Sequence, residues 1–255
     1  MAQDSSADRG SPATREPTRA VVADWDTTKT SGVGAWDQKR RLARAMRLVI
    51  ERLVPSNAPE DELRLAAEGL ERYAEALRAH PRLKSPHGFA ESANAGDVGA
   101  FFDQSPLIGL ANPLAPPIVI GRESDERAVA KVVFGSAYEG PPGSVHGGFI
   151  AAAFDEVLGY VQSLSGKGGM TGTLTVRYRK PTPLHQELFF EAEIVRIEGR
   201  KILTEGRLYA GDLLTAEAEG IFISVDPKRF EELLEKRGEY EKAQLQMSSE
   251  GEHSA

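Results

Sequence analysis

The chain of 255 residues contains no cysteine, which excludes disulfide bridges, thiolate metal sites and a cysteine nucleophile. It has no excess of positive charge: the formal net charge is −7, whereas a protein built around nucleic acid needs a basic surface to meet phosphates. No stretch reaches the roughly 18 apolar residues of a membrane-spanning helix, and residues 1–30 lack the apolar core of a secretory signal. A phosphate loop is absent, because Gly166-Lys167-Gly168-Gly169 has neither the spacing nor the hydroxyl residue, and so is a Gly-x-Ser-x-Gly nucleophile elbow. His80, His87, His146, His185 and His253 make no ligand spacing with one another, so no metal site is expected. The absence of cysteine fits a cytoplasmic protein, and that location is the expectation.

Residues 1–35, rich in Ser, Asp, Arg, Thr and Pro, are expected to form a disordered tail. From Trp36 to Val54, Leu42, Met46, Val49, Ile50 and Leu53 recur at helical spacing, while Arg40, Arg41, Arg44 and Arg47 populate the remaining surface. A second amphipathic helix follows. Acids fill its first turn (Glu60, Asp61, Glu62), and Leu63, Ala66, Ala67, Leu70, Tyr73, Ala74 and Leu77 form its stripe until Pro81. Residues 36–81 therefore read as a helical hairpin packed through its apolar stripes on the main domain or on a partner subunit. Residues 82–116 lose periodicity, yet the apolar run from Phe101 and Phe102 to Pro113 suits an ordered loop laid over the core.

Residues 117–226 carry strand patterns. Ile118 to Ile120 and Ala128 to Phe134 flank the charged turn at Glu123 to Glu126 and suggest a hairpin. Thr171 to Arg179, Glu187 to Ile197, Lys201 to Tyr209 and Leu213 to Val225 follow. Between the two groups lies a helix opening on Gly147-Gly148. One long helix with antiparallel strands is an α+β layer arrangement in which the sheet curls round the helix. Residues 227–255 are read as a short helix started by Pro227, with Phe230, Leu233 and Leu234 as its stripe, and a polar tail.

That central helix carries the chemistry. Its first turn has backbone N–H groups without internal partners and partial positive charge from the aligned peptide dipoles. Glycine lets a substrate oxygen approach those groups closely. Asp155 follows Phe154 and precedes Val157, Leu158 and Tyr160, so partly apolar surroundings are expected for it. Such surroundings would make its carboxylate a better base. Its neighbour Glu156 is expected on an exposed face. An oxyanion-stabilising helix start with a carboxylate nearby is equipped to attack a thioester or ester carbonyl.

The run Tyr138-Glu139-Gly140-Pro141-Pro142-Gly143-Ser144-Val145-His146-Gly147-Gly148, then Asp155, Met170-Thr171 and Val176-Arg177-Tyr178-Arg179-Lys180-Pro181-Thr182-Pro183-Leu184, resembles the hotdog-fold acyl-CoA thioesterases. The likeness is greatest to the phenylacetate-degradation type and the thioesterase superfamily member 4 type. It spans roughly residues 117–226, and its ordered set of motifs is specific where His-Gly-Gly alone is weak. The resemblance implies an antiparallel sheet wrapped around a central helix, and hydrolysis of an acyl-CoA to free acid and CoA, with no cofactor beyond the CoA that the substrate brings. It implies a homodimer or dimer of dimers in which the Gly-Gly helix start of one subunit faces the acid of the other. By the same resemblance Asp155 is general base or nucleophile, and the Gly147 N–H, with Gly148 beside it, holds the oxyanion. His146 shapes that loop, and Thr171 orients water or the carboxylate. Some relatives carry Asn several residues before the histidine, where this chain has Gly140, so a polar partner for the lytic water is either missing or supplied by another group. Arg177, Arg179, Lys180, Arg200 and Lys201 are the cations nearest the motif and candidates for the CoA phosphates. A non-catalytic acyl-CoA binder, a hotdog dehydratase and an interaction module built on the helical hairpin are the other readings.

Overall fold

The computed structural model describes residues 34–81, 103–167 and 169–225. The tail, the first part of the loop with Phe101 and Phe102, Gly168, and the C-terminal helix with its tail lie outside the described residues.

The order is α1 (Ala35–Leu53), α2 (Glu60–Arg78), β1 (Val119–Arg122), β2 (Arg127–Val133), a short 3-10 turn (Ser136–Tyr138), α3 (Gly147–Ser163), β3 (Gly169–Tyr178), β4 (Glu187–Glu198), β5 (Lys201–Ala210) and β6 (Leu213–Ser224). All strands pair antiparallel in one sheet of order β1-β2-β4-β5-β6-β3. The connection from β2 to β3 must therefore cross from one side of the sheet to its far edge, and α3 makes that crossing. The sheet wraps around α3, the hotdog arrangement.

The helix is held by an apolar stripe at i, i+3, i+4 spacing: Ile150, Ala153, Phe154, Val157, Leu158 and Val161 are all buried. Opposite them lie Leu188, Phe190, Ile202, Leu208, Ala216, Ala218 and Phe222 on the inner face of the sheet. Phe154 meets Phe190 edge to face, with centroids 5.1 Å apart. Gly220 lets the helix settle closely, since a Cβ there would lie 2.7 Å from Thr204 Oγ1 and 3.2 Å from Leu158 Cδ1.

Helix α1 departs from the sequence expectation in which face it uses. Trp36, Arg40, Ala43, Arg47 and Glu51, three or four residues apart, form the side turned to the body. Trp36 Nε1 donates to Asp103 Oδ2 at 2.5 Å and Arg40 Nε to the same oxygen at 2.7 Å, with Asp103 fully buried. Ala43 is buried, and Arg47 donates to the carbonyls of Leu110 and Asn112. Glu51 accepts from the Ser136 N–H at 2.8 Å and from its hydroxyl at 2.9 Å. Of the apolar stripe read from the sequence, Met46, Val49 and Leu53 are exposed and Leu42 and Ile50 half-buried, and α2 has no buried residue at all. The reason is that the loop above the core offers carbonyls and one buried carboxylate, which charged side chains satisfy and leucines do not. No helix among the described residues is long and apolar enough to cross a membrane.

Replacing Asp103 by Ala would leave the Arg40 guanidinium half of a broken pair. Asp103→Ala is expected to cost about 3 kcal/mol, read as a lower urea midpoint, and to expose α1 to protease cleavage before the body unfolds.

Candidate active site

Residues 138–146 form a tight loop that aims the chain into α3. Glu139 bridges Val145, the Gly140 N–H donates to the Ser144 carbonyl, and the His146 N–H to the Tyr138 carbonyl. Gly143, at φ 71°, makes the reversal. A Cβ on Gly140 would lie 2.7 Å from His146 Cα, so no asparagine fits there without moving the helix start.

His146 caps α3. Its Nδ1 accepts from the Gly148 N–H at 3.0 Å, and its carbonyl accepts from Phe149 at 2.9 Å and Ile150 at 3.3 Å. Of the first four amides of the helix, that of Gly147 alone has no acceptor among the described residues. His146 thus satisfies the backbone, and the donor left open is Gly147, with Gly148 committed to the cap.

Asp155 lies off the buried stripe and is exposed in the single chain, while Glu156 is the enclosed acid of the pair. Within a single chain, then, Asp155 meets solvent, where partly apolar surroundings were expected, and Glu156, expected on an exposed face, is half-buried. One step along a helix turns a side chain by about 100°, which takes position 155 towards the free edge of the sheet and position 156 beneath the loop that holds Ser105. Burial, reinforced by the Asp155 charge, pushes the Glu156 carboxyl up to about 7, against a weak contact from Ser105 Oγ at 3.5 Å.

Thr171, near the start of β3, donates its hydroxyl to Asp155 Oδ1 at 2.7 Å. At the other end of β3, the Tyr178 hydroxyl donates to the Gly147 carbonyl at 2.8 Å, and its ring would lie 3.3 Å from a Cβ at Gly147. Strand β3 therefore runs back along α3 with one contact at each end. Thr171 and Tyr178 are seven apart and would face opposite ways in a regular strand. A bulge between Thr171 and Thr173 restores them to one face, opposite Phe222 and Ala216 on β6. Sequence reasoning quoted Tyr178 within the motif but gave it no role. The isolated Gly172 inside the strand was the available signal.

The five cations do not gather within one chain. Arg177 pairs with Glu219 and Arg179 with Glu217 across the β3–β6 pair, and Lys180 follows them. Arg200, whose Nε donates to the Ser224 carbonyl at 3.2 Å, and Lys201 lie at the opposite end of the sheet, beside the start of β3. Seven strand residues separate the groups, on the order of 20 Å. His185, at φ 57°, faces Ser136 (Nε2 to Oγ 3.4 Å) and Glu51 (Nδ1 to Oε1 3.6 Å), not Asp155. No group of three or more potential metal ligands occurs among the described residues.

A helix start with one open amide, an acid further along it held by a threonine, and a sheet wrapped around the whole define a hotdog protein of the thioesterase type. The family model described as "Thioesterase superfamily" matches residues 142–217, the loop, α3 and most of β3 to β6. Among solved structures, protein RHA08564, a thioesterase superfamily protein, is 32% identical with a TM-score of 0.65, over 72% of this chain and 94% of that one. The chain belongs to the thioesterase superfamily. Among curated proteins it is similar to the acyl-coenzyme A thioesterase THEM4 of Xenopus laevis, 36% identical over 107 residues, 41% of this chain and 48% of the relative. It is also similar to THEM4 of Bos taurus, 32% over 124 residues (48% and 51%), and to THEM5 of Homo sapiens, 29% over 151 residues (58% and 60%). The alignments span about half of these relatives' length.

The raised carboxyl of Glu156 has a thermodynamic consequence. Because the folded state holds this proton above the ordinary value of 4.5, stability should fall as pH rises from about 4.5 to about 7 and stay lower beyond. Glu156→Gln, neutral at every pH, is expected to be more stable than the parent above pH 7 by up to about 3 kcal/mol. Denaturant unfolding at pH 4.5 and pH 8 would show the advantage vanish at the lower pH.

Proposed function

We propose that this protein hydrolyses the thioester of an acyl-CoA to the free acid and CoA, at sites that each use two copies of the chain. The observation that carries the reading is the placement of an open Gly147 amide and a Thr171-bound Asp155 on one helix, beside an unpaired strand edge. The names of the curated relatives supply the substrate class.

Gly147 and Asp155 are eight residues apart on α3, about 12 Å along its axis. A carbonyl polarised at the amide is out of reach of the acid on the same helix. Strand β3 is the longer of the two edges of the sheet, ten residues without proline and with no partner on its outer side among the described residues, and such an edge favours pairing with another strand. If two β3 edges pair antiparallel about a twofold axis through Thr175, Thr173 of one copy falls opposite position 177 of the other, and the bulge at 172 brings position 171 opposite position 178. The Tyr178–Gly147 end of each copy then meets the Thr171–Asp155 end of its partner, giving two sites in a homodimer and four in a dimer of dimers. The same pairing brings the Arg200–Lys201 turn of one copy towards the Arg179–Lys180 end of the other, so cations separated within a chain can together face the CoA phosphates.

In the reaction, the Gly147 N–H, at the positive end of the α3 dipole, binds the carbonyl oxygen and stabilises the charge that develops on it. The Thr171 hydroxyl occupies Asp155 Oδ1, leaving the other oxygen to take a proton from water as that water attacks the carbonyl carbon. The C–S bond then breaks and the sulfur leaves with that proton as CoA. His185, engaged with Ser136 and Glu51, gives no Asp-His pair of the kind a dehydratase needs. The lack of cysteine suits the reducing cytoplasm, where this reading places the enzyme.

The experiment is CoA release from short, medium, long and aromatic acyl-CoAs, followed with a thiol dye to which this protein contributes no background. Turnover on at least one substrate should fall a hundredfold or more in folded Asp155→Asn, about 2.7 kcal/mol. Tight binding without turnover would instead mark a binder. Gly147→Pro removes the amide while keeping a first-turn residue that helices accept, and should lose about 3 kcal/mol of transition-state stabilisation. Mixing the two inactive variants should restore activity, because one hybrid site then has both an intact amide and an intact acid. A mixture that stays inactive would place the whole site within one chain.

A further inference from the structure

Helices α1 and α2 leave two apolar stripes uncovered. On α1, Met46, Val49 and Leu53 line one side, and on α2, Leu63, Leu70 and Leu77 repeat every seventh residue. Each of these six side chains is 38–52% exposed, so neither stripe is buried by the other helix or by the sheet. Each helix has 19 residues and is about 28 Å long, and isolated apolar surface of this extent marks an interaction face. The two helices are oppositely charged: α1 carries six basic and two acidic side chains, α2 six acidic and three basic. With α1 fixed to the body through its polar side, Arg41 and Arg52 lie along one side of its apolar stripe, and Lys39, over the Trp36 ring, lies at its N-terminal end.

We propose that α2 of a second copy of this chain lies along the apolar stripe of α1, and reciprocally, so that the two copies clasp each other through a four-helix contact. The two surfaces match: helices of equal length and opposite net charge each carry an apolar stripe left uncovered in its own chain. On α2, where Asp61 and Glu68 pair with Arg64 and Glu75 with Arg78, the acids Glu60, Glu62 and Glu71 remain beside the leucines. A second copy is also what the unpaired β3 edge favours. The contact is of the isologous kind, in which the same two surfaces meet twice about the twofold axis. Leucines spaced by seven suit such helix packing. The clasp goes beyond the hydrolysis reading and does not depend on it, since it needs no substrate and no turnover.

The lack of native cysteine makes the test direct. Full-length Val49→Cys and Leu70→Cys chains, one carrying a size tag, are mixed, allowed to exchange and treated with a short bis-maleimide. The product joining the two different chains should exceed that joining identical chains at least fivefold. Met46→Cys with Leu77→Cys gives an independent pair, and circular dichroism confirms that each variant is folded. Adding Leu63→Glu to the Leu70→Cys chain should reduce the mixed product at least tenfold. A chain carrying both cysteines that closes only on itself would overturn the proposal in favour of α2 folding back on its own α1. Absence of inter-chain product from both pairs would overturn it too, and binding of the same chains to phosphatidylserine vesicles would then identify the stripes as a membrane-facing surface. Because cross-linking reports contact alone, its failure is distinguishable from loss of CoA release.

Discussion

A helix holds its residues at fixed intervals, and eight residues of α3 place the Gly147 amide and the Asp155 carboxylate about 12 Å apart. That separation cannot be closed by bending, because α3 is pinned along its length by Ile150, Phe154, Val157, Leu158 and Val161 against the sheet. The buried stripe also decides where the acid points. With Phe154 and Val157 turned into the core, Asp155 faces the free edge and Glu156 the covering loop. The packing that stabilises the fold therefore presents the open amide at the start of the helix and the carboxylate at its middle, and whether one ligand can meet both becomes a matter of how copies meet.

Strand β3 converts this constraint into a two-ended frame. Thr171 holds Asp155 and Tyr178 holds the peptide of Gly147, so the edge available for pairing is also the strand that orients both groups. The bulge makes this workable, since without the extra residue one of the two hydroxyls would point away from α3. An edge strand with contacts at both ends is fixed in register relative to the helix. Register decides which residues a partner strand would meet.

The N-terminal helices show a different allocation of surface. Amphipathic periodicity in α1 is strong, yet the face that meets the body carries Trp36, Arg40, Arg47 and Glu51. The loop beneath supplies the buried Asp103 carboxylate and the carbonyls of Leu110 and Asn112, groups that need partners when water is excluded. Hydrogen bonding fixed the docked side, and the hydrophobic residues were left for another surface. Periodicity alone reports that a helix has two faces and is silent on which of them a given neighbour requires.

What the sequence by itself determined was the set of local elements: period-two alternation located the six strands, three- and four-residue spacing the three helices, and His-Gly-Gly the start of α3. The open amide at Gly147 and the Thr171–Asp155 contact were legible there through the family resemblance. These depend on short-range propensity, capping and a motif whose residues are close in the chain. The tertiary structure alone decided that Asp155 is exposed and Glu156 enclosed, that Tyr178 supports the glycine start, that Gly172 is a bulge, and that Arg200 and Lys201 lie far from Arg177 and Arg179 within a chain. Each depends on which surface covers which. Side-chain burial is set by contacts between residues tens of positions apart, such as Trp36 with Asp103 or Ser105 with Glu156, and no local pattern records those neighbours.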